Sequence, residues 1–262
     1  MQISIKNKKG HNQMFNFKII VLLTVVILSG CSKKLSDTVQ QVRSSVVHIE
    51  KLGQWQGSGF VLTQDGIIVT AKHVVEGGGE FIVTFDDGTQ YKTSTCLQNN
   101  NYDVGFLKLN KFDCVPLPLG SITKLRAGDP IFVMGSPLGK EQFNSVTAGI
   151  VSAVQRDWDQ DSRGLGWKIL FQGDTPGVYP GNSGGPVFNL QGEVVGVLVA
   201  GVGPGLNCSV PVDVFLDKIL LIRLGLEQQS FSVPTTGTVG SYEPKEEMNV
   251  LPMDTNKSNY ES

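Results

Sequence analysis

Histidine is the scarcest reactive residue in this chain: among 262 residues there are three, His11, His48 and His73. Chemistry that needs an imidazole base has few places to sit. The four cysteines, Cys31, Cys96, Cys114 and Cys208, are scattered and share no ligand spacing with the histidines, so neither a metal centre nor a cofactor is expected. Charge is sparse as well, at 18% of residues with a net charge of −2, which excludes a basic face for nucleic acid. Long apolar runs are missing except for residues 19–28, a stretch shorter than the roughly 20 residues a membrane helix needs. What the chain has in quantity is glycine, at 31 residues.

Glycine is densest around one hydroxyl. In Gly181-Asn182-Ser183-Gly184-Gly185-Pro186 the small residues let the backbone turn tightly and approach its neighbours, which marks Ser183 as a candidate nucleophile. A serine needs a general base and an orienting carboxylate to act in this way. His11 lies in a lysine-rich start that reads as removable, and His48 lies inside the strand-like Ser45-Val46-Val47-His48-Ile49. His73 remains, in Thr70-Ala71-Lys72-His73-Val74-Val75, where a strand over 66–70 ends and a helical turn begins. The best carboxylate is Asp103, which follows the polar stretch 99–102 and precedes the strand pattern Val104-Gly105-Phe106-Leu107-Lys108-Leu109. Asp86 and Asp87 sit beside Gly88 in a hairpin turn, where aspartate serves the local backbone. The resulting order, His, Asp, Ser, is not that of an α/β-hydrolase esterase.

These stretches, together with Gly57-Ser58-Gly59-Phe60-Val61-Leu62, resemble a chymotrypsin-fold, trypsin-like serine protease of the HtrA (Deg) type over roughly residues 46–224. The resemblance implies an all-β fold of two six-stranded antiparallel barrels with a C-terminal helix. Its cleft would hold His73 and Asp103 from the first barrel and Ser183 from the second as catalytic residues. The N–H groups of Gly181 and Ser183 would form the oxyanion hole. Substrates would be proteins or peptides, cut through an acyl-enzyme in envelope protein processing or quality control. A reading of another class, a catalytically silent trypsin-like domain acting as a binding lipoprotein, is disfavoured by the presence of all three residues.

The segment Thr175-Pro176-Gly177-Val178-Tyr179 departs from the HtrA-type pattern where the primary specificity pocket belongs. Gly177 stands six residues before Ser183, where trypsin-like enzymes of basic specificity carry an aspartate. With Ala200 and Gly201 as another wall, the expected pocket comprises Gly177, Ala200 and Gly201 and takes small or medium aliphatic side chains.

Lysines precede the apolar run 19–28, which ends in Leu28-Ser29-Gly30-Cys31. This resembles a bacterial lipoprotein signal peptide (1–30), with Cys31 lipidated and the domain held on an envelope membrane outside the cytoplasm. The expected organisation continues with a tether over 31–43 and a protease domain over 44–226. Within it, barrel 1 covers about 44–120, barrel 2 about 121–210 and a closing helix 211–226. The prolines at 116 and 118 mark the boundary between barrels. Residues 227–262 read as a disordered polar tail, with no room for the C-terminal PDZ domain common in HtrA proteins. The polar stretch 156–166 reads as a surface hairpin, with a regulatory loop as the alternative. A Cys96–Cys114 disulfide is left open, Cys208 reads as a buried small hydrophobe, and the sequence does not set the oligomeric state.

Overall fold

The computed structural model describes residues 3–6, 12–15, 34–51, 56–99, 102–110, 113–158, 167–201 and 205–215. His11, the run 19–28, Cys31 and the tail beyond 215 lie outside the described residues. In chain order, β1 (Ile3–Lys6) and β2 (Asn12–Phe15) pair as a ribbon, and α1 (Leu35–Val42) precedes the main strands. The next group comprises β3 (Val46–Lys51), β4 (Gln56–Val61), β5 (Ile67–Thr70), the one-turn α2 (Lys72–Val75), β6 (Phe81–Thr84), β7 (Gln90–Thr93), β8 (Cys96–Gln98) and β9 (Gly105–Lys108). The last group comprises β10 (Pro130–Gly135), β11 (Ser145–Trp158), β12 (Trp167–Asp174), β13 (Pro186–Asn189), β14 (Val194–Gly201) and β15 (Asn207–Pro211).

Two β units result. The second is a closed barrel in the order β10-β11-β12-β15-β14-β13, with every pairing antiparallel. The first is a seven-stranded sheet in the order β7-β6-β3-β4-β5-β9-β8, where a six-stranded barrel was expected. The physical reason is one broken strand. Only Ser94 and Thr95 separate β7 from β8; β7 pairs with β6, while β8 pairs with β9. The break is fixed by hydrogen bonds from Lys108 N–H to Thr95 C=O (3.0 Å) and from Thr93 Oγ1 to Lys108 C=O (2.6 Å). The sheet therefore curls round and its two edges are joined by the chain itself.

Strand β10 shows how the units share a core. Ile131 and Val133 point into the barrel with Val151, Phe171 and Val195, while Phe132 and Met134, on the opposite face, join the larger cluster that includes Phe60, Val69 and Phe106 of the first sheet. Phe132 stacks on Phe188 with ring centroids 4.7 Å apart. Each such fully buried side chain contributes about 1.5–3 kcal/mol, so both faces of β10 hold the units together. The chain crosses between them over 115–120, where Leu117 N–H reaches Val61 C=O and Val194 N–H reaches Pro118 C=O.

Two expectations need correction. The tether over 31–43 is structured in its second half: α1 buries Thr38 and Val42, and Thr38 Oγ1 donates to Leu190 C=O in the β13–β14 turn. Gly192 in that turn leaves the space, since a Cβ there would lie 3.0 Å from Thr38 Cγ2. At the other end, the described part of the closing helix is a single 3-10 turn, Val212–Val214, whose Asp213 carboxylate accepts from Ile122 N–H and Ser121 Oγ; residues 216–226 lie outside the described residues. Strand β11 continues through Trp158, which pairs with Trp167 of β12 in keeping with the hairpin expected over 156–166; residues 159–166 lie outside the described residues. Among the described residues no disulfide joins Cys96, Cys114 or Cys208, and burial pushes the Cys208 thiol up to about 11.

His48 lies in β3, fully buried, with neither ring nitrogen hydrogen-bonded. Burial lowers its pKa and outweighs Glu50, 3.9 Å away, which raises it; Lys140 adds a smaller lowering and Glu141 a smaller raising influence. The unfolded chain thus binds a proton that the folded chain refuses, so this contribution to stability is intact above the ordinary imidazole value of about 6.5 and is lost as pH falls below it. Thermal melts at pH 7.5 and pH 5 are expected to show a drop in Tm for the wild type and a smaller drop for His48→Leu. Equal drops would contradict the assignment.

Candidate active site

Register brings the first two site residues together. Thr70 at the end of β5 pairs with Gly105 at the start of β9, so the residues that continue from each strand face one another. These are α2, carrying His73, and the turn carrying Asp103. Gly105 is needed for this approach, because a Cβ there would lie 2.5 Å from Val75 Cγ2 and 3.2 Å from Ala71 C=O. Asp103 is 6% exposed and uses both carboxylate oxygens on one residue: Oδ1 accepts from His73 N–H at 2.9 Å, and Oδ2 lies 2.7 Å from His73 Nδ1. An ionised carboxylate can only accept, so the Nδ1 proton is directed at Asp103 and the Nε2 lone pair is left for another partner.

Ser183 sits in a turn held from three sides. Leu138 N–H donates to Pro180 C=O (2.7 Å), Asn182 N–H to Tyr179 C=O (3.1 Å), Gly184 N–H to Leu198 C=O (2.7 Å) and Gly185 N–H to Asn182 C=O (2.9 Å). From the first sheet, Ser58 N–H donates to Ser183 C=O (2.8 Å). Among the described residues, the N–H groups of Gly181 and Ser183 are the two in residues 181–185 that donate to no protein acceptor. Two glycines make the turn possible. Gly181 has φ +98, and a Cβ would meet Ser136 C=O at 2.2 Å; Gly184 has φ +85, and a Cβ would meet Ser58 C=O and Thr70 Oγ1 at 2.2 Å each.

The turn and α2 meet across Gly57 in β4. A Cβ on Gly57 would lie 2.7 Å from Val74 Cγ1, next in sequence to His73, and 3.3 Å from Ser183 C=O. All three sequence-derived residues therefore gather where the two units touch. No hydrogen bond joins Ser183 Oγ to His73 among the described residues.

Beside Ser183 opens a cavity of about 220 Å³ whose walls include Val178, Tyr179, Leu198, Val199, Ala200 and Gly201. Among the described residues no charged side chain lines it. Ala200 and Gly201 fall where they were expected, but Gly177 does not. Its φ of +79 turns the chain so that Gly177 borders a separate hollow of about 330 Å³ with Pro137, Val146 and Thr147. Val178 takes its place at the cavity, close to Gly201, where a Cβ would lie 3.2 Å from Val178 Cγ1. Sequence reasoning also missed Ser58. Its signal was present, because glycines flanking a residue inside a strand mark close approach by another backbone.

Comparison with known proteins bears on the fold and the family. The model of the trypsin-like peptidase domain family matches residues 57–197, more than half of the chain. A protein named probable periplasmic serine endoprotease DegP-like from Halomonas elongata is 38% identical over 166 residues, covering 62% of this chain and 34% of that protein. Its namesake from Pseudomonas fluorescens is 36% identical over 190 residues, covering 71% of this chain and 38% of the relative. The chain thus spans about a third of the length of the curated relatives it matches. Among solved structures, the HtrA-type protease AlgW with tripeptide superposes with a TM-score of 0.63 at 24% identity, covering 74% of this chain and 64% of that one. The serine endoprotease from Yersinia pestis gives 0.60 at 24% identity, covering 74% of this chain and 68% of that one. At such identity these likenesses concern the fold. With the family match over most of both β units, the chain belongs to the trypsin-like peptidase domain family, and the curated relatives it matches are named DegP-like serine endoproteases.

Proposed function

We propose that this chain is a serine endopeptidase that cuts protein substrates through an acyl-enzyme. The observation that carries the reading is the bidentate grip of Asp103 on His73, set across Gly57 from a serine turn with two uncommitted N–H groups. In this reading His73 Nε2 takes the proton of Ser183 Oγ as Oγ bonds to the substrate carbonyl carbon. The negative charge that develops on the carbonyl oxygen is stabilised by the N–H groups of Gly181 and Ser183. His73 then gives its proton to the leaving amine as the C–N bond breaks, and water repeats the sequence to release the acyl group. Asp103 holds the tautomer and stabilises the imidazolium without taking the proton.

The cavity supports a preference for substrates with a small or medium aliphatic side chain before the cut. Its apolar walls offer no partner for lysine or arginine, and Val178 closes in on Gly201. Leu28-Ser29-Gly30-Cys31 supports lipidation of Cys31, with palmitate among the acyl chains and an envelope membrane as the partner. Because α1 begins at Leu35, few residues separate Cys31 from the folded domain. Even fully extended they span only about 14 Å, which holds the domain close to the bilayer surface. The substrates are then proteins within reach of that surface, in envelope processing or quality control.

Fluorophosphonate labelling is expected to modify the wild type and not Ser183→Ala, and Asp103→Asn is expected to lower kcat by about 10⁴-fold. A folded wild type that takes no Ser183-dependent label would favour a binding module instead. Cleavage-site profiling on a denatured protein is expected to place cuts after Val, Ala or Leu, with Val178→Ala extending them to larger apolar residues. Cuts mainly after Lys or Arg would reject the pocket assignment. Cys31→Ser is expected to abolish metabolic labelling with radioactive palmitate and release the protein from the membrane fraction; retained label would reject lipidation at that residue.

A further inference from the structure

Ser58, flanked by glycines in β4, has its hydroxyl unaccounted for by the reaction described above. The residue is fully buried, and each of its polar atoms is committed to a segment that builds the site. Its N–H holds Ser183 C=O at 2.8 Å, and its C=O accepts from Thr70 Oγ1 at 2.7 Å. Its hydroxyl lies between two loops of the second barrel, 2.9 Å from Ser136 N–H and 2.7 Å from Gly181 C=O. The direction of that bridge is forced. Ser136 N–H can only donate, so Ser58 Oγ accepts there and sends its single proton to the Gly181 carbonyl.

The Gly181 carbonyl is a consequential atom to hold. The two uncommitted N–H groups belong to the 180–181 and 182–183 peptides, and the 181–182 peptide lies between them. Leu138 fixes the first of these through Pro180 C=O, and Gly185 N–H fixes the third through Asn182 C=O. The plane of the middle peptide sets the angle between the other two. Gly181, at φ +98, has little conformational preference of its own; Asn182 N–H, bound to Tyr179 C=O at 3.1 Å, restrains one edge of that plane within the turn, and a second restraint, on the carbonyl edge, comes from outside it. For the carbonyl of that peptide it comes from Ser58 Oγ.

We propose that Ser58 is a positioning residue for the oxyanion turn: its hydroxyl, supplied by the first sheet, sets the plane of the 181–182 peptide and so aligns the N–H groups of Gly181 and Ser183 on one oxygen. The assignment rests on the endopeptidase reading above. It predicts a loss confined to the transition state, because those N–H groups matter most when charge develops.

The test uses the full chain with Ser58→Ala, Ser58→Cys and, as a control for stability alone, Thr38→Ala, which removes the remote bond to Leu190. Ser58→Ala is expected to lower kcat by about 10²-fold with KM within about threefold of wild type. Affinity for an aliphatic peptide boronate, which places a charged oxygen in the turn, should fall in step with kcat, while affinity for the corresponding product peptide should hold. Ser58→Cys, with a weak donor and acceptor, should lie between the two. Thr38→Ala should lower Tm and leave kcat unchanged. Wild-type kcat and boronate affinity in Ser58→Ala, or in Ser58→Cys should the alanine variant not fold, would overturn the assignment; so would a kcat loss matched by an equal loss in Thr38→Ala. A wild type that neither turns over peptide nor takes a fluorophosphonate on Ser183 overturns the endopeptidase reading itself, whereas an active wild type with an unaffected Ser58 variant overturns this assignment alone.

Discussion

The contact between the 181–185 turn and strand β4 is the constraint on which the rest of the site depends. Backbone meets backbone at Gly184, where a Cβ would lie 2.2 Å from Ser58 C=O, and a Cβ on Gly57 would lie 3.3 Å from Ser183 C=O; positions 135 and 185, which pack the turn on β10 within the second unit, also lack the space for a Cβ. Gly135 would clash with Asn182 Oδ1 at 2.5 Å, and Gly185 with Met134 C=O at 2.4 Å. Close approach of this kind lets one residue, Ser58, hydrogen-bond to both Ser183 and Gly181. A methyl group added at position 184 would push the turn away from β4. The hydrophobic faces of β10 hold the units together, and the glycines decide how near they come.

From that constraint the division of labour follows. The first unit supplies His73 and Asp103 through the β5–β9 register, and the second supplies the serine turn and the apolar cavity. Each half is rigid on its own terms. Both oxygens of the Asp103 carboxylate are engaged by a single residue, while in the turn the N–H groups of Asn182, Gly184 and Gly185 are bound and those of Gly181 and Ser183 are not. Preorganisation of this sort leaves little to rearrange when substrate arrives.

Much of this was legible in the sequence, for identifiable reasons. His73 could be singled out because the chain has so few histidines, and burial of His48 inside β3 agrees with its strand-like surroundings. Asp103 was legible because a polar stretch gives way abruptly to strand β9, and the hairpin assignment of Asp87-Gly88 reflects ordinary turn chemistry, with Gly88 at φ +83 and Thr89 N–H bound to Asp87. Other features depend on contacts between distant residues and leave no local trace. The break between β7 and β8 is set by hydrogen bonds to Lys108, far along the chain. Helix α1 reads as a polar tether until Gly192 gives its Thr38 and Val42 a surface to cover. Gly177 was placed by counting back from Ser183, and a left-handed turn at that residue defeats the count.

A crystal structure of the chain with an aliphatic peptide boronate is the most direct test of the central claim, that the two units meet to make Ser183 a nucleophile with an oxyanion site beside it. The account predicts a covalent bond from boron to Ser183 Oγ, one boronate oxygen within hydrogen-bond distance of both Gly181 N–H and Ser183 N–H, and the apolar side chain seated against Val178 and Ala200. Boron bound elsewhere, or an adduct on Ser183 whose oxygens meet neither N–H group, would contradict it.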